Sequence, residues 1–412
     1  MPAISFRSRF TRSRAHAFVC LACIFQLSVW IWGQTAGHPA SKDTHAADFS
    51  TLSAKADAAR NAEHLDEATS LYRRALALRP SWAEGWWSLG TIYYDHDSYR
   101  EAAQAFQRLT KLDPKNGPAH AMLGLSQFEL KQDDAALSNI DAGLDLGLPK
   151  NEELIKVLLY HKGMLQQRRG SLQSAQTTLE ELCLRNGSSD EVAQVLGLTM
   201  LHSTAAQPPT SGSPQGNIVL GVGRAECLAG QKQYDHARSA YEKLTAENAQ
   251  YPYIHYAFGL FLLKTRDTQR GITQLQQELA NQPDSVVTRL WIAAAEYKEN
   301  SAAGIPYAEE AVKLAPQQPF GHYLLGLLLL DVDDYNRAIP ELETASRGLP
   351  HEAKVFFALG TAYSRAGRKQ DAARARATFQ RVSEEAKTNG SKDQPSASSD
   401  VNIPLADAPA PQ

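Results

Sequence analysis

Three histidines are the first residues whose spacing raises the question of a metal site. His120, His255 and His322 each stand four residues before a glycine, so they occupy equivalent positions in a repeating pattern. Equivalent positions on neighbouring helical units lie about a helix diameter apart, roughly 10 Å, whereas zinc binds its ligands at about 2 Å. The three imidazoles therefore cannot share one ion, and we predict structural roles for them and no metal site.

Two other motifs resemble ligand loops but lack a residue that such a loop needs. A calcium loop opening at Asp331 would have Asn336 in place of the glycine at its sixth position and Leu342 in place of the glutamate at its twelfth. A dinucleotide fingerprint opening at Gly221 would have Glu226 in place of its third glycine. The sequence also contains no P-loop, zinc-protease helix or nucleophile elbow. We predict no catalytic residue and no cofactor, and hence no enzyme.

The four cysteines are too few for a disulfide scaffold. Cys20 and Cys23 fall in the apolar N-terminal segment, which leaves Cys183 and Cys227 for the body of the protein. A disulfide between these two would suit an exported protein. The alternative is that both are unpaired, buried apolar residues of helices, and the sequence does not decide between them.

A period of 34 residues organises the elements that would position these side chains. Gly90 recurs as Gly124, and Gly326 recurs as Gly360. Large apolar residues at helical spacing accompany each glycine, and a small residue such as Ala102 follows on the next helix. The pattern predicts pairs of helices that approach closely at their small residues.

These residues resemble the tetratricopeptide repeat family. The resemblance implies an all-α, right-handed superhelical solenoid of about eight to nine helix-turn-helix units. In this family the first helix of each unit lines a concave groove, so the resemblance implies a partner-binding groove formed by Trp87, Tyr94, Phe128, Tyr160, Tyr253, Tyr256, Tyr297, Phe320, Tyr323 and Phe357. Such an aromatic stripe suits an extended peptide or an apolar helix. Packing of the rings between neighbouring helices is the alternative.

The repeating pattern breaks once, at a stretch rich in proline, serine and glycine (STAAQPPTSGSPQG) that follows a first helix and replaces its partner. The polar C-terminal residues resemble a disordered segment. The predicted organisation, in chain order, is a signal peptide or membrane anchor (1–40), a first repeat array (49–202), a flexible insertion (203–216), a second array with a C-terminal capping helix (217–388) and a disordered tail (389–412).

The N-terminus has the order of an export signal. Four arginines precede an apolar run at residues 15–32, and small and polar residues follow at 33–40. The length of the run also fits an uncleaved membrane anchor. Both alternatives place the repeats outside the cytoplasm, in the periplasm or the extracellular space, or tethered to an inner membrane.

These features predict a non-enzymatic scaffold that binds a protein or peptide partner in the groove, in bacterial envelope assembly or secretion. The net charge of −3 gives no reason to expect a nucleic-acid partner. Two alternatives remain open, namely an accessory module of an envelope enzyme complex whose catalysis lies in a partner, and a self-associating structural protein. The sequence specifies neither the partner nor the oligomeric state.

Overall fold

A computed structural model describes residues 4–5, 20–21, 40–149, 151–186, 189–206, 208–297 and 299–388. The predicted signal or anchor segment at 15–32, apart from residues 20 and 21, and the predicted tail at 389–412 lie outside these residues. Two short strands, β1 (Ile4–Ser5) and β2 (Cys20–Leu21), pair antiparallel. Within the described residues, no helix combines the length and apolar character needed to cross a bilayer.

The rest of the described chain is helical, as predicted. Nineteen helices follow one another: α1 Ala40–Asn61, α2 Leu65–Leu78, α3 Ala83–Asp95, α4 Tyr99–Leu112, α5 Gly117–Glu129, α6 Asp133–Leu146, α7 Glu152–Arg169, α8 Leu172–Asn186, α9 Asp190–Met200, α10 Pro214–Gly230, α11 Tyr234–Glu247, α12 Ile254–Lys264, α13 Thr268–Asn281, α14 Val286–Glu296, α15 Ser301–Leu314, α16 Pro319–Asp331, α17 Tyr335–Gly348, α18 Ala353–Arg365 and α19 Lys369–Thr388.

Consecutive helices pack as pairs within two compact units, Met1–Leu165 and Gln166–Gln412. We call α3, α5, α7, α9, α12, α14, α16 and α18 first helices, because each opens a pair. The predicted division of the repeats at the insertion falls inside the second unit.

Small residues lie at the contacts within each pair, as the 34-residue period predicts. Ala102, Ala136 and Ala338 are fully buried on second helices, and in the first unit the ring of Phe106 lies against Gly90 of the facing helix. Burying a large apolar side chain of this kind contributes about 1.5–3 kcal/mol to stability. The helix pair, held by such contacts, is the element that positions every side chain discussed below.

The first helices other than α14 end in the same left-handed turn, and α10 does so as well. In α3, the amide of Ser98 donates to the carbonyl of Tyr93 across 2.9 Å, which is the six-to-one hydrogen bond of a Schellman cap. The residue before that amide has a positive φ, although it is usually not glycine: Asp97 (56°), Lys131 (60°), Lys232 (63°), Arg266 (64°) and Asp333 (62°). The cap satisfies carbonyl groups that the end of a helix leaves without a partner.

The prediction that α9 lacks a partner helix is wrong. α9 ends in the same turn, with His202 at φ 52° and the amide of Ser203 bonded to Leu198 across 2.9 Å. After a connection at residues 201–213, α10 begins at Pro214, inside the segment predicted to be a flexible insertion. α10 then packs against both α9 and α11, so it is the partner of α9 as well as the helix that restarts the pattern.

Candidate partner-binding surface and a cavity in the second unit

The aromatic residues predicted to line a groove differ widely in burial. Four are buried: Phe128, Tyr256, Phe320 and Tyr323. Five are half-buried: Trp87, Tyr94, Tyr160, Tyr253 and Tyr297. Phe357 is 62% exposed. The four buried rings have little surface to offer a partner in this conformation, so the accessible aromatic surface is smaller than the sequence indicates.

In the first unit, the aromatic side chains follow consecutive first helices. The Trp87 ring lies 5.7 Å from the ring of Phe106, which holds it against the core. The Phe128 ring, on α5, lies 4.5 Å from the imidazole of His161 on α7, edge to face. Tyr160, beside that histidine, stays half-buried. α3 and α7 thus present fixed aromatic rings, which supply contact area at little cost in entropy, whereas Phe128 on α5 is buried.

One carboxylate lies beside these rings. Burial raises the pKa of Glu129, at the end of α5, above its usual value, and the nearby Lys131 ammonium opposes that effect. Burial also raises the pKa of Tyr94, and the negative charge of Glu129 adds to the rise. Glu129 and Tyr94 are therefore neighbours in an environment that is partly removed from water.

In the second unit, two of the predicted groove residues form a closed cluster. His202, at the end of α9, stacks on the ring of Tyr253 at 4.7 Å and meets the ring of Tyr256 edge-on at 4.7 Å. The Tyr256 hydroxyl accepts a hydrogen bond of 3.1 Å from the indole nitrogen of Trp291. These contacts explain why Tyr256 is buried, and sequence reasoning missed His202 because its covering role depends on the α9–α10 connection.

The three histidines with equivalent spacing hold helix pairs together. Their Nδ1 atoms each contact a polar side chain on the following helix, at Asn139 (3.0 Å), Gln274 (2.7 Å) and Glu341 (2.5 Å). Nε2 of His120 lies 3.2 Å from the carbonyl oxygen of Pro114, and Nε2 of His322 lies 3.0 Å from that of Pro316. The structure thus gives these side chains hydrogen-bonding roles within their own pairs and, for His120 and His322, with the turn before the pair.

The two cysteines left open by the sequence are paired. Cys183 on α8 and Cys227 on α10 form a disulfide, with their Cα atoms 5.3 Å apart and a sequence separation of 44. Both side chains are buried. The bond fixes α8 to the helix that follows the break in the repeating pattern.

A buried polar network adjoins the disulfide. Glu226, which is 1% exposed, accepts a hydrogen bond of 2.7 Å from the hydroxyl of Tyr241 and one of 3.1 Å from Nε2 of Gln176. The Lys264 ammonium lies 2.6 Å from Glu180 and 3.5 Å from Glu226. Burial, with the Glu180 charge added, raises the pKa of Glu226 to about 7, and the lysine opposes the rise. The network joins α8, α10, α11 and α12.

A cavity of about 450 Å³ lies beside the α9–α10 connection. Its walls come from the ends of α9 and α10, from the connection itself and from the turn before α12. The residues that line it are Leu198, Leu201, Ser203, Ala205, Pro208, Pro209, Val219, Tyr251 and Pro252. Sequence reasoning missed this feature because it treated the connection as unpacked. Among the described residues, no three histidine, cysteine or acidic side chains are grouped to hold a metal ion.

The fold and its caps define a helical repeat protein whose unit is a pair of antiparallel helices. The tetratricopeptide repeat family profile matches residues 53–117, 89–146 and 323–382. The matched segments of the chain are tetratricopeptide repeats, which confirms the family that its sequence resembles. Arrays of this family present extended surfaces to protein partners and are generally not catalytic, and the class of the protein is therefore an interaction scaffold.

Two curated proteins are similar to parts of the chain. The protein O-mannosyl-transferase TMTC3 of Homo sapiens is 28% identical over 113 residues, which are 27% of this chain and 12% of that protein. Anaphase-promoting complex subunit 3 of Schizosaccharomyces pombe is 23% identical over 278 residues, 66% of this chain and 41% of that protein. The chain thus spans less than half the length of either relative.

Solved structures of helical repeat proteins are also similar to the chain. MamA from Desulfovibrio magneticus RS-1 has 22% sequence identity and a TM-score of 0.39, over 44% of this chain and all of that one (100%). Yeast Tom70 has 12% identity and a TM-score of 0.34, over 84% of this chain and 85% of that one.

Proposed function

We propose that this protein is a non-enzymatic scaffold that acts outside the cytoplasm and binds a segment of a partner protein on the aromatic surface of its first unit. The observation that carries the proposal is the set of half-buried rings at Trp87 and Tyr94 on α3 and at Tyr160 on α7. Rings that are held by the core on one side and accessible on the other are the side chains that most often dominate protein interfaces.

The location outside the cytoplasm rests on two independent features. The buried disulfide between Cys183 and Cys227 is a type of bond that persists in oxidising compartments and is rare in the cytosol. The N-terminal sequence has the basic, apolar and small regions of an export signal or membrane anchor. Together they favour a role in the envelope of a bacterium, in assembly or secretion.

A photo-crosslinking amino acid at Tyr160 tests the binding surface. Its matched control is the same amino acid at Arg108, an exposed position on the second helix α4. We expect a protein adduct in cells from position 160 and none from position 108. The crosslinked peptide, identified by mass spectrometry and synthesised, should bind the purified protein at least about tenfold more weakly after Trp87→Ala. Equal adducts at both positions, or an unchanged affinity, would contradict the surface.

Thiol trapping in cells tests the location. Acid quenching followed by alkylation should show Cys183 and Cys227 oxidised in the chain that carries its N-terminal segment. The same chain produced without residues 1–39 should show both thiols reduced, since it stays in the reducing cytosol. Reduced cysteines in the full chain would exclude export.

Self-association is a second candidate, favoured by one observation in the second unit. Phe357, on α18, is 62% exposed and its ring lies 5.7 Å from that of Phe379 on α19. This exposed ring and the half-buried ring of Phe379 on one helix pair offer an apolar patch to a second copy. Sedimentation of wild type and Phe357→Lys at micromolar concentration decides the matter, because only a patch-mediated dimer dissociates in the variant.

A further inference from the structure

The cavity beside the α9–α10 connection has walls that are each fixed from another helix. The first wall is the outgoing limb of the connection. Nε2 of Gln167, on α7, donates to the carbonyl oxygens of Ser203 at 2.5 Å and Ala205 at 3.3 Å. Gln167 is only 1% exposed, and a buried amide left without its partners is destabilising. These two hydrogen bonds therefore hold the outgoing limb against α7.

The returning limb is fixed at two points. Nε2 of Gln194, on α9, donates to the hydroxyl oxygen of Ser211 across 3.1 Å. The hydroxyl oxygen of Ser213 accepts a hydrogen bond from the amide of Gly216 across 3.0 Å and caps α10, which stabilises the start of that helix. The two limbs thus stand apart, one bound to α7 and the other to α9.

The third wall is the turn at Tyr251 and Pro252. Glu278, a fully buried carboxylate on α13, accepts the amide of Tyr253 at 2.7 Å and the amide of Tyr256 at 3.2 Å. The stacked imidazole of His202 fixes the same turn from the other side. A cavity whose walls are held in this way keeps its shape when empty, and a ligand does not have to order it.

The residues that line the cavity indicate the chemical class of its ligand. None of the nine residues that line the cavity carries a charged side chain, so an ion would lose its hydration without gaining a partner. Three prolines offer rigid ring faces without N–H groups, the leucines and the valine are aliphatic, and Ser203 and Tyr251 add hydroxyls. The volume of about 450 Å³ falls in the range of roughly 300–1,000 Å³ that is typical of ligand pockets.

We propose that this cavity is a binding site for a small, neutral, ring-containing molecule with one polar group. The ring lies between the proline faces and the aliphatic side chains of α9 and α10, and the polar group meets the hydroxyl side of the lining. The site goes beyond the proposed scaffold function, because its residues do not include the aromatic surface of the first unit.

Indole serves as the probe, since it is a neutral aromatic molecule with a single N–H group. In full-length protein with labelled methyl groups, we expect titration with indole to shift the NMR signals of Leu198, Leu201 and Val219. The shifts should saturate together, with a Kd on the order of 1 mM or below for a ligand of this size. Signals of Leu123, in the first unit, should not move.

A matched pair of variants tests the location. Ala205 lines the cavity, whereas its neighbour Ala206 does not, and both are exposed. Ala205→Trp should fill the cavity and weaken indole binding at least tenfold, and Ala206→Trp should bind as the wild type does. If Ala205→Trp loses its helical circular dichroism, intermolecular NOEs from indole to Val219 in the wild type decide instead.

Three outcomes overturn the proposal: shifts that grow linearly without saturation, equal shifts at Leu123, or unchanged binding to a folded Ala205→Trp. Displacement of indole by the partner peptide would likewise overturn it, since the cavity would then hold a side chain of that partner. Crosslinking at Tyr160 should be the same with and without indole, so this test and that of the scaffold function give separate answers.

Discussion

The amide nitrogen of Gly197 on α9 lies 2.8 Å from the point that a Cβ atom on Gly223 of α10 would occupy. The same point lies 1.7 Å from the carbonyl oxygen of Ala193. The two helices therefore meet backbone to backbone. This contact lets α10 serve as the partner of α9 although a long connection separates them.

We expect Gly223→Ala to lower the free energy of unfolding by about 2–3 kcal/mol or more. The added methyl group would clash with backbone atoms of α9, which cannot move away as the end of a flexible side chain can. Urea unfolding of the full-length protein measures the change. Gly221→Ala is the matched control on the same helix, where the new atom meets only the tip of the Leu244 side chain at 2.8 Å. Equal losses in both variants would show that the helices are not in direct contact.

Removing the disulfide should also destabilise the second unit. For a sequence separation of 44 between Cys183 and Cys227, we expect the double serine variant to lose about 2–4 kcal/mol, since the bond restricts the unfolded chain. Thermal unfolding with and without a reductant measures this. The reductant should lower the Tm of the wild type and leave that of the variant unchanged. If reductant leaves the Tm of the wild type unchanged, the two cysteines do not form a disulfide.

Glu226 should make stability depend on pH. Burial raises the pKa of its carboxyl from an ordinary value of 4.5 to about 7 in the folded protein, so between these pH values the folded state binds a proton that the unfolded state does not. The unfolding free energy should therefore be higher below pH 4.5 and fall as pH rises towards 7, by on the order of 3 kcal/mol. Glu180, Lys264, Tyr241 and Gln176 are the groups that face this carboxyl.

Glu226→Gln should remove that slope and keep the hydrogen bond from Tyr241. Denaturant unfolding at several pH values between 4.5 and 8 measures it. Glu242→Gln, at an exposed ion pair with Arg270, is the control and should keep the wild-type slope. If the unfolding free energy of Glu226→Gln still falls with rising pH, a group other than Glu226 binds the proton.

Buried and exposed rings of the predicted groove should respond differently to truncation. Tyr256→Ala should cost about 3–5 kcal/mol, since it empties a core position, whereas Phe357→Ala should change stability by less than about 0.5 kcal/mol. Unfolding monitored by circular dichroism separates the two. Comparable losses would mean that Phe357 is covered in solution.

The helix pairs could be predicted because the period records a physical requirement, namely small residues where two backbones approach. The caps could not be predicted in the same way. Gly170 and Gly367 mark two of the left-handed turns, but Asp97, Lys131 and Arg266 adopt the same conformation with no glycine to signal it. Their φ values follow from the hydrogen bonds of the cap, which the sequence does not display.

The groove assignment shows a second limit of sequence patterns. Tyr160, Tyr256 and Phe357 each stand three residues before a repeat glycine, yet they are half-buried, buried and exposed. His202 and Trp291 cover Tyr256, whereas Phe357 belongs to the last pair of the described chain. The register of the repeat determines the face of the helix on which a residue lies. Contacts with residues distant in sequence determine whether its side chain is buried.

The left-handed cap also bears on how such a chain can change. Every hydrogen bond of the cap joins residues within six positions, as between Ser203 and Leu198. The end of the helix therefore does not depend on the residues that follow the cap. α9 keeps its cap although eleven residues, 203–213, intervene before α10. The turns are thus sites at which residues can be inserted, in evolution or by grafting, while the helices on either side retain their register.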